Sequence, residues 1–143
     1  MAEATHSLIA EHPQHEALIR AYYDRWHEML RGPLADGVAI LEDLHEAKVP
    51  LFGLTNWSAE TFPYARANYP FLKYFRNIVV SGEVRLIKPD PAIYRASLDQ
   101  VRAHLPDIRA EELVFIDDVA ENANAASALG WQGIHHVSPE QTR

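Results

Sequence analysis

The sequence predicts an α/β fold, a parallel sheet flanked by helices, and three observations predict it. Short apolar runs alternate along the chain with stretches of helical periodicity, which is the pattern of parallel strands joined by crossover helices. One of these runs, Leu113-Val114-Phe115-Ile116, is bounded by charge and leads straight into Asp117-Asp118 and the alanine-rich segment Val119 to Leu129. Four apolar residues so placed suit a strand buried on both faces. Proline and glycine also punctuate the segments where helices should begin and end, at Asp90-Pro91 and Gly130.

Residues 1 to 13 are polar and mixed. From Gln14 to Arg31, Leu18, Ile19, Tyr22, Tyr23, Trp26, Met29 and Leu30 recur at three- and four-residue intervals and predict one amphipathic helix, stopped by Gly32-Pro33. Its wide aromatic face suits core packing, or a surface whose partner lies elsewhere. Val38, Ile40, Leu41 and Leu44 mark a second helix over 35–47. A strand follows at 49–56, ending in Thr55-Asn56. Residues 57–68 are expected to be helical, with Pro63 marking either a kink or a start after an irregular first turn. Tyr69 to Phe75 suits a short aromatic turn of helix, and Asn77 to Ser81 a strand.

Val84 to Asp90 is loop chemistry. Asp90 is placed to cap a helix that starts at Pro91 and runs to about Leu105. The Leu113 strand, the helix to Leu129 with Gly130 closing it, and a last strand near Gly133 to Val137 complete the order. The tail Ser138 to Arg143 is expected to be loosely held. Gly32-Pro33 is the one compositional seam, dividing residues 1–32 from 33–143.

Composition narrows the function. Of 143 residues, 48% are hydrophobic and 23% charged, ordinary for a globular domain with its own core. A net charge of −7 leaves no basic face for nucleic acid. Without cysteine there are no disulfides, thiolate metal sites or thiol nucleophiles. The first residues lack the basic and apolar regions of a signal peptide, and no apolar run approaches membrane-spanning length, so a cytoplasmic domain is expected, without nucleic-acid or membrane partners. The eight histidines form no metal-ligand spacing.

The chemistry gathers at strand ends. In a parallel sheet the loops beyond the carboxyl ends lie along one edge, so Thr55-Asn56, Lys88 and Asp117-Asp118 converge there. Thr55 and Asn56 offer a hydroxyl and an amide to an anionic oxygen, and Lys88 a compact positive charge. Two adjacent carboxylates call for a cation, and magnesium prefers such oxygens. Together they suit a phosphate ester bound with Mg2+.

In that order, Leu54-Thr55-Asn56, then Ile87-Lys88-Pro89-Asp90-Pro91, then Phe115-Ile116-Asp117-Asp118 with Asn122, the residues resemble motifs II, III and IV of the haloacid dehalogenase (HAD) superfamily of hydrolases. The similarity covers about residues 33 to 137 and is closest to the branch with a helical cap after the first core strand. It implies a Rossmann-like HAD core over 33–143 and a remnant of the cap over 1–32. It further implies that Thr55 binds phosphate, that Lys88 steadies nucleophile and phosphate, and that Asp117 and Asp118 hold Mg2+. Asn56 would be a lesser substrate contact, with Glu121 and Asn122 behind the metal ligands.

The chain departs from the family pattern at its start. Members open with an apolar strand ending in Asp-x-Asp, whose first Asp attacks phosphorus. Asp24, Asp36 and Asp43 lie in helical or loop contexts and do not fit it. The expectation is a chain that begins inside the cap, lacks its first strand and turns over little or no substrate. Because that strand is central, its loss should expose two strand edges, inviting them to pair directly or to take a strand from another chain, as in a homo-oligomer. A small-molecule phosphatase is favoured by the acidic pair; the alternatives are a non-catalytic binding module and a 2-haloacid dehalogenase. A phosphorelay receiver has the acidic pair first and lysine last, opposite to the order here.

Overall fold

A computed structural model describes residues 2–142; Met1 and Arg143 lie outside the described residues. The chain divides into two compact units, Met1–Pro33 and Leu34–Arg143. No helix among the described residues is long and apolar enough to cross a membrane.

The first unit holds α1 (Ala2–Glu11), a 3-10 turn at Pro13–His15, α2 (Glu16–Asp24) and a second 3-10 turn at Trp26–Met29. The single helix expected over 14–31 is therefore broken, and the polar start, for which the sequence reading assigned no element, is helical. Alanine and glutamate are strong helix formers, which suffices for α1 despite its weak apolar pattern. The break falls at Arg25, with φ −112° and ψ 14°. Its guanidinium grips Glu28 at 2.6 and 2.9 Å, a three-residue clasp suited to the tighter 3-10 turn. The aromatic residues on either side lose rotamer freedom in a regular helix, so little opposes the change. Leu18, Tyr22 and Met29 are exposed.

The second unit alternates helix and strand: α3 (Ala35–Glu46), β1 (Phe52–Thr55), α4 (Phe62–Asn68), a 3-10 turn at Pro70–Tyr74, β2 (Asn77–Val80), the short α5 (Ser81–Val84), α6 (Pro91–Arg102), a 3-10 turn at Ala110–Glu112, β3 (Val114–Asp117), α7 (Ala120–Ala128), β4 (Gln132–His135) and α8 (Pro139–Thr142). Capping follows local chemistry. Asp90 accepts a hydrogen bond from the Ala92 amide at 2.8 Å with Pro91 in the first turn, and Gly130 takes φ 87° beyond α7. α4 starts only at Phe62, because Pro63 suits a first turn and no later position. The tail described to Thr142 is helical rather than loose: the Thr142 amide bonds Ser138 O, and its hydroxyl meets His136 Nδ1.

All four strands run in parallel pairs, β1 with β2 in register Phe52↔Asn77 to Thr55↔Val80, and β3 with β4 in register Val114↔Gln132 to Asp117↔His135. The α/β class stands, but the sheet is two separate pairs, and β1 and β3 do not pair with each other. One core serves both: Ile93 and Tyr94 of α6 pack with Val79 of β2, Phe115 of β3, Ala126 of α7 and Trp131, with Leu54 of β1 beside them. Packing on a shared helix fixes both pairs without requiring a ladder between them. A smaller cluster of Phe62, Ala65 and Val80 covers the other side of β2.

β3 is not buried on both faces. Phe115 and Asp117 point inward, whereas Val114 is 56% and Ile116 40% exposed. The helices that pack on β3 reach only its Phe115 face. A run of four apolar residues carries no record of how many sides are covered, so this was invisible in the sequence.

Candidate functional site

Asn56, Lys88 and Asp117 meet, and Lys88 is the joint. Its ammonium lies 2.6 Å from Asp117 Oδ2 and donates to the Leu54 carbonyl at 3.1 Å. One side chain thus ties the end of β1 to the end of β3. Both partners are nearly dry, with side chains 9% and 5% exposed. The ammonium also sits 5.6 Å from the Phe115 ring centroid, a cation–π contact from below.

Asp117 is fixed from several directions. Oδ1 accepts from the Val119 amide and from Asn122 Nδ2, both at 2.9 Å. Burial alone would raise its pKa; the bonds from Lys88, Asn122 and the Val119 amide outweigh that and hold the carboxyl below the ordinary aspartate range. Asn122 is in turn buried, and its carbonyl accepts the Tyr94 hydroxyl at 2.9 Å. Asn122 therefore reaches Asp117 directly.

Asn56 orients Lys88. Its Nδ2 donates to Lys88 O at 3.0 Å, and its Oδ1 accepts the Lys88 amide at 2.9 Å. This reciprocal clamp joins the loop after β1 to the segment carrying the lysine, a positioning role that residue order alone did not disclose. The same two loops are tied a second time. Ser81 Oγ accepts the Trp57 amide at 2.9 Å and donates to Trp57 O at 3.2 Å, while the Gly82 amide bonds that carbonyl at 3.0 Å. A Cβ at Gly82 would run into the backbone of Ala59 and Trp57, so the approach needs glycine. Ser81-Gly82 is the feature that sequence reasoning passed over; a Ser-Gly directly after a strand was the available signal.

Thr55 and Asp118 are different. Among the described residues neither the Thr55 hydroxyl nor the Asp118 carboxylate has a hydrogen-bond or ion-pair partner, and Asp118 is exposed. The main chain of Asp118 accepts from His135 at 3.2 Å, which leaves its side chain free.

The donor set fits magnesium through the two aspartates. No group of three His, Asp or Glu side chains among the described residues is arranged as a metal cage. Magnesium does not need one, since it commonly takes one or two carboxylates and fills its shell with water and substrate oxygens. Asp118 offers both oxygens; on Asp117, Oδ1 is filled by two donors, and only Oδ2 keeps a lone pair beside Lys88.

The chain is similar to known proteins over most of its length. The chain is 32% identical over 103 residues to the sesquiterpene phosphatase astK of Aspergillus oryzae, covering 72% of this chain and 50% of that protein. It is 27% identical over 100 residues to (S)-2-haloacid dehalogenase 2 of Pseudomonas sp. strain CBS-3, covering 70% and 42%. The chain spans about half the length of the curated relatives it matches. The crystal structure of an uncharacterized protein from Corynebacterium glutamicum shares the fold, with a TM-score of 0.60 at 20% identity over 78% of this chain and 80% of that one. The family described as haloacid dehalogenase-like hydrolase matches residues 1–135, nearly the whole sequence. On that match, the chain belongs to the haloacid dehalogenase-like hydrolase family.

Proposed function

We propose that these residues form the phosphate-handling part of a magnesium-dependent phosphatase acting on a small phosphorylated metabolite. The single observation that supports it most is the buried Lys88 ammonium, anchored to Asp117 and Leu54 O, the residues next in sequence to Asp118 and Thr55. In this reading the Thr55 hydroxyl and Lys88 bind phosphoryl oxygens, Asn56 holds Lys88 in place, and Asn122 holds Asp117. Magnesium on Asp117 and Asp118 would supply positive charge against the phosphoryl group.

The reaction in the family runs through an aspartyl phosphate, and we assign no residue of this chain as that nucleophile. The proposal is that a further strand carries it, seated between β1 and β3, each of which keeps one edge without a strand partner. Such a strand comes from polypeptide other than residues 1–143, since a second copy of them carries the same aspartates. The chain alone is then inactive, and a non-catalytic binding role is the same site without that strand.

A dehalogenase reading is favoured by the likeness to the (S)-2-haloacid dehalogenase and by the heavy engagement of Asp117, which leaves little of it for a metal. One assay separates the readings: release of phosphate from an aryl phosphate, and of chloride from 2-chloropropionate, by the purified chain and by Asp118→Ala. Magnesium-dependent phosphate release lost in the variant supports the phosphatase and shows that a nucleophile is present; chloride release without magnesium supports the dehalogenase. No turnover from either substrate, with inorganic phosphate binding retained, is what the inactive-alone proposal expects. No turnover and no phosphate binding would remove the phosphate site altogether.

A further inference from the structure

Beside this site lies a hollow of about 380 Å³, walled by Trp57, Ser58, Ser81, Arg85, Ile87 and Asp90 among others. Its walls are the loops that follow β1 and β2, so it opens on the same edge of the fold as Thr55 and Lys88. Trp57 directly follows Asn56, and Ile87 directly precedes Lys88. The hollow is thus built from the same two chain segments that carry Asn56 and Lys88.

Arg85 is its conspicuous wall. It takes φ 57° and ψ 34°, the left-handed region that glycine or asparagine fills more cheaply. Strain alone does not mark a site, since Lys48 adopts a similar φ of 60° just beyond α3. What separates Arg85 is its place in the hollow and its free guanidinium, which has no hydrogen-bond or ion-pair partner among the described residues. The other charged wall, Asp90, already gives Oδ1 to the Ala92 amide. The remaining walls contribute an indole ring, aliphatic side chains and the small residues Ser58, Ser81 and Gly82, a mainly apolar surround for one planar, five-donor cation.

We propose that Arg85 is a substrate-selecting residue, and that the hollow takes the far end of a substrate carrying a second anionic group, a carboxylate or phosphate gripped by the guanidinium fork. This rests on the phosphate site proposed at Thr55 and Lys88. The test compares two probes of similar size, 2-phosphoglycolate and ethyl phosphate, whose binding to the full chain is measured by calorimetry with magnesium present. Wild type should bind phosphoglycolate about tenfold more tightly, equivalent to about 1.4 kcal/mol. Arg85→Gly and Arg85→Asn both tolerate the left-handed backbone and should keep the thermal midpoint. Both should lose the preference while binding ethyl phosphate as before, and Arg85→Lys should keep part of it. Ethyl phosphate binding with no preference in wild type, or a preference that survives in both uncharged variants, overturns the selecting role and leaves the phosphate site standing. Failure of wild type to bind either probe overturns the phosphate site and this inference with it.

Discussion

The two strand pairs are equal in length and both parallel, yet they are finished differently. β2 is covered on both faces, with Val79 facing the α6 core and Val80 the cluster of Phe62 and Ala65. β3 is covered on one, and Val114 and Ile116 stand in solvent. The polar ends differ in the opposite sense. Thr55 at the end of β1 is free, while Asp117 at the end of β3 is held by three donors. The covered pair supplies an uncommitted ligand and the open pair a fixed one. Lys88, bonded to both, is where the two halves become a single site.

That comparison can be broken at its joint. Lys88→Ala should cost about 3–5 kcal/mol in urea unfolding, because it leaves the Asp117 carboxylate buried without its cation. Lys88→Met with Asp117→Leu should cost much less than the single change, since both charges leave together. If Lys88→Ala costs no more than loss of an exposed pair such as Arg109–Glu112, the joint is not what holds the halves. Gly133→Ala comes next, at about 1–3 kcal/mol, because the new Cβ would meet Ala123 O and Ser127 Oγ where α7 lies on β4. Val80→Ala, on the fully covered strand, should lose about 2 kcal/mol.

Tyr94 sharpens the comparison through pH. Burial first, and then the charge of Asp117, push its phenol up to about 12. An acid with a raised folded pKa favours its neutral form in the fold. Its contribution is therefore complete below the ordinary value of 10.0 and is lost as pH rises from there toward 12. Tyrosinate absorbance should show one late-titrating group in wild type, and Tyr94→Phe should flatten the alkaline loss of stability. The smallest effect is expected on the open face. Ile116→Lys should change stability by about 0.5 kcal/mol or less, but if a strand or second copy covers that face, sedimentation should show association lost.

The strand-end positions were legible in the sequence, and their partners were not. Thr55, Lys88 and Asp117 were legible as strand-end residues because strand, turn and cap chemistry are local: Pro91, Asp90 and Gly130 act within one turn of themselves. Asn56 and Asn122 were named only as minor contacts. Their real partners, the Lys88 backbone and the Asp117 carboxylate, became visible only once the loops were placed. The breaking of the 14–31 helix at Arg25 was hidden for a related reason, since an apolar period continues whether or not the backbone does.

By itself, then, the sequence determined the order of β1 to β4 and of α3, α4, α6 and α7 among them, most of those helices' starts and stops, and the residue types at the strand ends, because each depends on dihedral preferences and hydrogen bonds within a few residues. Tertiary structure alone decided that the strands form two pairs rather than one sheet, that β3 is covered on one face, and that Lys88 spends its ammonium on both halves. Those outcomes depend on which surfaces meet across long stretches of chain, and only the packing around α6 brings them together.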